Sequence, residues 1–385
     1  VTRQPAAWAV VLLLASLTAP RAGGAAEPAL AAADSAGAAR TSVAAQGAPD
    51  SAGAARTNAA AAAAPDTAAA ARPVPVSAAP PAYRLRETQR LVASSGVPLA
   101  EPAGVLADAF GRVWVSDASQ NLVRRWQASG EPLDETGTLG SEPGRFRRPG
   151  TLARLGSLGV AVLDTENQRV VSYDHHLRLL GVLVDLTAPL LESRLGRVRP
   201  IGIASDRGGA LLVLDADRDR ILVFDFAGSY QREIGGYGAR AGGFTGVLAL
   251  ACDPRGNVVT VERPRSRPRK GAAADSTVGR ARVQWLEPGG RVLASHWTPV
   301  WAAGGGEASM AVAVDDSGRV AIAGERSGQL MVLAPDGRLL VKLEGLRSPR
   351  ALGFAPDFTL LVAEPGAAHV RRVSRERAPR DCAMR

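Results

Sequence analysis

Cysteine and histidine are nearly absent from this 385-residue chain, which carries two of the first and four of the second. Two thiols, Cys252 and Cys382, exclude a disulfide-dense scaffold and a cysteine-rich zinc module. Aromatic residues make up only 4% of a sequence that is 46% hydrophobic, so small aliphatic side chains carry most of the apolar mass. Lysine is scarce too: of 46 basic residues only Lys270 and Lys342 are lysine. Arginine bias beside heavy alanine and glycine use is what GC-rich coding produces, so the net charge of +9 is not read as a nucleic-acid footprint. No apolar run reaches the roughly 20 residues of a membrane-spanning helix.

What is present changes along the chain. Arg3 precedes an apolar run, Ala6 to Ala19, and small residues Ala22 to Ala26 follow it. A positive start, a short apolar stretch and a small-residue exit are the parts of an export signal, so residues 1–25 are read as a signal peptide. The expected location is therefore the periplasm, the cell envelope or the outside of the cell, with no transmembrane helix in the mature form. Residues 26–82 are about half alanine and contain no aromatic residue. Asp34–Thr41 reads DSAGAART, and Asp50–Thr57 repeats it. So little apolar surface does not offset the entropy of ordering the segment, and a disordered linker is expected.

From residue 83 to 378 the pattern is that of short strands bounded by Gly, Pro and Asp, for example Val113–Val115 and Leu211–Leu214. The strands fall into six similar units starting at Pro102, Pro149, Pro200, Val247, Ser309 and Pro349. Six positions on stands Asp108, Asp206, Asp253 or Asp315. Fifteen on stand Asp117, Asp164, Asp215, Glu262 and Glu364, with Gly324 as the exception. Twenty-four on stand Trp126, Tyr173, Phe224, Leu333 and Val373, and the fourth unit is expected to reach Trp285 after an insertion of 14 residues. Units of about 40 to 50 residues with four strands each are propeller blades. The expected fold is all-β: a six-bladed β-propeller of four-stranded antiparallel blades. The last unit lacks a fourth strand, and Thr88–Val92 resembles the fourth strand of unit three, Tyr230–Ile234. The N-terminal strand is therefore expected to complete the last blade, with residues 379–385 left as a tail.

The stretch from Gly137 to Gly150, with Gly140, Gly144, Phe146 and Pro149, resembles the inter-blade signature of NHL repeats, and Gly235–Phe244 resembles it again. The Pro-x-Gly starts, the Asp-x-x-Gly turns and the apolar-Asp strand ends complete the likeness over roughly residues 84–378. Resemblance to NHL-like propellers implies a binding platform; some relatives of that fold are lyases or lactonases. Catalytic motifs are missing: no Gly-x-Ser-x-Gly elbow, no phosphate loop and no Cys-x-x-Cys.

Two features offer chemistry. The recurring acids Asp117, Asp164, Asp215, Glu262 and Glu364 should lie at strand ends on one face, around the funnel. They either converge on a divalent cation, Ca²⁺ or Zn²⁺, or bind the backbone N–H groups of their own turns. The second feature is the insertion in unit four, where Arg263, Arg265, Arg267, Arg269 and Lys270 crowd one loop. Arg145, Arg147 and Arg148 are expected on the same face. Such a patch suits an anionic glycan, a lipid headgroup or an acidic protein, and nucleic acid is a poor match for an exported chain. The function expected is a non-catalytic binding or scaffold module, and the alternative is a metal-dependent lyase or lactonase with its site in the funnel. His175 and His176, His296 and His369 fall at unlike repeat positions and are expected to pack or to face solvent.

Overall fold

The computed structural model describes residues 83–91, 97–265, 277–301 and 306–377, all inside one compact unit, Asp66–Arg385. The signal-peptide and linker readings, Arg267, Arg269, Lys270 and Cys382 therefore lie outside the described residues. Strand β1 (Tyr83–Leu91) opens the described chain. Blade one follows with β2 (Pro102–Ala107), β3 (Val113–Asp117), β4 (Leu122–Trp126) and β5 (Pro132–Thr136). Blade two is β6 (Pro149–Leu155), β7 (Gly159–Asp164), β8 (Arg169–Asp174) and β9 (Leu179–Asp185), after which comes the short helix α1 (Pro189–Leu195). Blade three is β10 (Pro200–Ser205), β11 (Leu211–Asp215), β12 (Arg220–Phe224) and β13 (Tyr230–Gly235). Blade four is β14 (Val247–Cys252), β15 (Val258–Glu262), β16 (Arg282–Leu286) and β17 (Val292–Trp297). Blade five is β18 (Met310–Val314), β19 (Val320–Gly324), β20 (Gln329–Leu333) and β21 (Leu339–Leu343). Blade six is β22 (Ala351–Phe354), β23 (Leu360–Glu364) and β24 (His369–Arg377).

Each blade is a four-stranded antiparallel meander, and the sixth has the order β1-β24-β23-β22. Tyr83 pairs with Arg377 and Leu91 with Val370, so the first described strand is the outer strand of the last blade. The inner strands touch in sequence order around the axis, and β2 meets both β6 and β22. The protein is thus a six-bladed β-propeller. One blade buries only one face at a time; packed face to face, neighbours bury both. The core is accordingly a set of separate clusters between blades.

Each connection between blades inserts an apolar plug into the gap. Phe146 and Phe244 of the two Gly-rich connections are fully buried, and each closes its connection by a short parallel bridge, Leu139 with Phe146 and Tyr237 with Phe244. Trp301, Leu195 and Leu346 do the same elsewhere. Leu195 comes from α1, an element the period-two reading did not contain. Its apolar spacing is a single turn long, and Pro189 at its start and Gly196 at its end are its local signals.

Blade four corrects one assignment. Val113 pairs with Trp126, Val160 with Tyr173 and Leu211 with Phe224, and the partner of Val258 is Leu286. The residue equivalent to Trp126 is therefore Leu286, one place after Trp285. Trp285 packs on the other face of the blade, against blade five. A one-residue shift moves a side chain to the opposite face of a strand, and an insertion of uncertain length hides that shift from the sequence.

Candidate functional site

The five recurring acids are built alike. Each ends the second strand of its blade, and Asp117, Asp164 and Asp215 are 0% exposed. Asp164 accepts the backbone N–H of Arg147 at 2.7 Å, the side-chain amide of Asn167 at 2.7 Å and Nε of Arg169 at 2.9 Å. Arg169 then donates to the carbonyls of Ser141, Glu142 and Arg145, in the connection from blade one. Asp215 takes Arg199 N–H and Arg220; Glu262 takes Thr245 N–H and Arg282; Glu364 takes Arg347 N–H and Arg371. Asp117 has Leu122 across from it instead of an arginine, and accepts from Ala100, Glu101 and Gln120 N–H and from Ser119 Oγ. The acid and its arginine staple the preceding inter-blade connection to the blade. Burying such a carboxylate is tolerable because both of its oxygens accept hydrogen bonds.

Blade five shows the staple reversed. Gly324 removes the acid, and Gln329 stands where Arg169 and Arg220 stand in blades two and three. Glu307, 1% exposed, reaches in from the connection and accepts Arg326 N–H at 2.8 Å and Ser327 N–H at 2.9 Å. A Cβ on Gly324 would stand 2.6 Å from Glu307 Oε1. The carboxylate therefore comes from the opposite partner, and glycine leaves it room. The sequence carried a signal for this: acid and arginine are lost together in unit five.

None of the five recurring acids lines the central channel, and no group of three or more His, Cys, Asp or Glu among the described residues is placed to hold a metal ion. The channel is a cavity of about 1110 Å³ running along the inner strands. Its middle is lined by small and apolar side chains, Val105, Ile203, Leu250 and Ala311 among them, and Cys252 lines it too, its thiol pushed up by burial. Small residues are needed where inner strands crowd: a Cβ on Gly104 would lie 2.4 Å from the carbonyl oxygen of Gly150.

Charged side chains stand at both ends of the channel: Arg154, Asp206, Arg207, Asp253, Asp315 and Asp316 where the inner strands finish, and a second set where they begin. Arg199, Asp219, Arg263, Glu325 and Arg350 line that second mouth. Arg350 Nε donates to Glu325 at 2.8 Å, and its other end donates to Glu101, which also receives Arg148 at 2.7 Å. The Asp219 carboxylate accepts the N–H groups of Gly246 and Val247 at 3.1 and 3.0 Å. Every carboxylate at the mouth is thus engaged by arginine or backbone. Arg263 is exposed and has no ion-pair partner among the described residues. Arg145 and Arg147 are exposed on the connection between blades one and two, and Arg145 stands 3.6 Å from Glu142. Arg265 lies over the Trp297 ring at 4.9 Å. Among the described residues of the expected basic patch, Arg263 is the one that lines the channel, and Arg199 and Arg350, which the sequence reading passed over, join it. Arg263 and Glu325 share one repeat position, the residue after the acid site, where other units have Ala118, Thr165, Ala216 and Pro365; a charge in that otherwise uncharged column was the readable signal.

The histidines stand apart. The His175 and His176 rings lie 3.9 Å apart, tilted by 45°, beside Phe110; His296 faces Trp285 edge-on at 5.4 Å, and His369 sits 3.6 Å from Glu364.

No family model matches the chain, and no curated protein matches it. Solved structures do resemble it. A streptogramin B lyase shares 12% identity over 76% of this chain and 98% of its own, with a TM-score of 0.51. The calcium-binding protein regucalcin of Agrobacterium tumefaciens shares 15% over 76% and 94%, at 0.50. A luciferin-regenerating enzyme shares 10% over 74% and 95%, at 0.51. These likenesses place the chain in the class of six-bladed β-propellers. The narrower NHL likeness rests on the inter-blade motif of this sequence.

Proposed function

We propose that the protein is an exported, non-catalytic binding module that holds an anionic group, such as the acidic unit of a glycan, at the arginine-bearing mouth of the channel. One observation carries the reading. The carboxylates of the mouth are all occupied by arginine or backbone N–H, which leaves no free base there, while the Arg263 guanidinium faces solvent unpaired among the described residues. Arginine is suited to such a role because its planar fork matches carboxylate, sulfate and phosphate oxygens. Export is supported by the signal-like pattern around Arg3 and the apolar run Ala6 to Ala19.

The test is affinity for a sulfated oligosaccharide as a function of salt. Replacing Arg263 and Arg199 with Gln should weaken binding by at least about tenfold and flatten its salt dependence, because fewer counterions are released. Unchanged affinity and slope would reject the site. The second reading, a metal-dependent lyase or lactonase acting in the channel, is favoured by the channel's volume of about 1110 Å³, enough to admit a small molecule although slightly above the roughly 300–1,000 Å³ of typical small-molecule sites. Stoichiometric Ca²⁺ or Zn²⁺ in protein purified without chelator would favour it over the first.

A further inference from the structure

The gap between blades five and six contains a second cavity, of about 300 Å³, away from the channel mouth. Its cause is legible in the repeat. The third-strand residue opposite Val113, Val160 and Leu211 is Trp126, Tyr173 and Phe224 in blades one to three, and the same position is Leu286 and Leu333 in blades four and five. Each of these rings packs into the gap toward the preceding blade. In blade six the same position, paired with Leu360, is Val373. The plug of this gap is Leu346, where the gaps between blades one and two, three and four, and four and five have Phe146, Phe244 and Trp301. Blade five also contributes small side chains here, Ala311, Ala313, Ala321 and Ala323. The two positions that together place a ring in each of the other gaps, as Trp126, Tyr173, Phe224, Phe244 or Trp301, thus hold only Val373 and Leu346 here, and the ring this gap does have, Phe354, is partly buried at its wall.

The chemistry of the walls defines what fits. Leu85, Val332, Leu340, Phe354, Leu360 and Val373 form an apolar interior. The ionic groups at the rim are already satisfied: Asp315 holds Arg319, and Asp357 accepts the N–H and hydroxyl of Thr359 at 3.0 and 2.6 Å. Nothing there is free to neutralise a charged ligand, and burying an unpaired charge is costly. An enclosed apolar cavity of about 150 Å³ already takes benzene, so this one has room for a fused ring pair. We propose that the gap between blades five and six is a binding site for a small uncharged aromatic compound of about the size of indole, which stands where Trp126, Tyr173 and Phe224 stand in blades one to three.

Indole itself is the probe, titrated into the full chain by calorimetry or by saturation-transfer NMR. Binding below millimolar concentration is expected, and indole-3-carboxylate should bind at least about tenfold more weakly because its charge would be buried unpaired. Val373→Phe restores the ring found in blades one to three and should weaken indole binding at least tenfold while the melting temperature holds or rises. Should that variant not fold, Val332→Phe fills the cavity from the blade-five side and should give the same loss. Binding that survives either filling variant in a folded protein overturns the proposal. So does the absence of indole binding to the unaltered chain at 1 mM, or equal affinity for indole and its carboxylate. Arg263→Gln should leave indole binding unchanged, so the outcome is independent of the channel mouth.

Discussion

Blade five permits a test of how the inter-blade staples work. Glu307→Ala removes a buried carboxylate that accepts two backbone N–H groups, at 2.8 and 2.9 Å. Hydrogen bonds to a charged group contribute about 1.5–3 kcal/mol each, and the two share one acceptor group, so a loss of about 3 kcal/mol is expected. At about 2 °C per kcal/mol for a ring of this size, the melting temperature should fall by about 6 °C. Gly324→Asp alone should also destabilise, because its Cβ would stand 2.6 Å from Glu307 Oε1 and the new carboxylate would face the old one. The double variant Glu307→Ala, Gly324→Asp restores the arrangement of the other blades, in which the acid at the strand end takes the N–H of the connection, as Asp164 takes Arg147. It should be more stable than the sum of the single effects by about 2 kcal/mol, within the range of coupling seen for residues in contact. The assay is urea unfolding of all four proteins, compared at equal slope. Additivity to within about 0.5 kcal/mol would refute the idea that Glu307 replaces the missing acid.

Other outcomes follow from the same structure. A chain beginning at Val97 lacks β1, whose Leu91 is fully buried against blades six and one; it should yield little folded protein, whereas a chain beginning at Tyr83 should melt close to the full chain, and equal melting of the two by calorimetry would refute a closing role for β1. Burial holds the His296 imidazole below its ordinary pKa, partly offset by Asp336. The folded state then binds fewer protons than the unfolded one, so stability is greatest above the unfolded value of about 6.5 and is lost as pH falls through the folded value. His296→Gln should remove that component of the slope, read by denaturant melts between pH 7.5 and about 5.5.

The propeller was legible because its signals are local and repeated. Alternation of period two, Asp-x-x-Gly turns and an acid at a fixed register need only neighbouring residues to have meaning, and repetition averages out the exceptions. The segment that pairs with β24 was legible for the same reason, but its register was not: Thr88–Val92 reads as the match of Tyr230–Ile234, whereas Leu91, opposite Val370, holds the place of Ile234, opposite Ile221, one residue earlier. What those acids do was not legible. A carboxylate at a strand end reads equally as a metal ligand and as a backbone acceptor, and only the placement of Arg147 N–H, Arg169 and the carbonyls of the connection shows what surrounds it.

Sequence by itself determined the number of blades and the strands in each, since those depend on period and turn chemistry along the chain. Tertiary structure alone decided which side chains share a space. It set Leu286 rather than Trp285 into the gap between blades three and four, brought Glu307 to the place Gly324 left, and gathered Arg199, Arg263 and Arg350 from separate blades at one mouth. The physical reason is that inter-blade contacts join residues tens of positions apart through the packing of successive blades, and their register is not written in any local pattern.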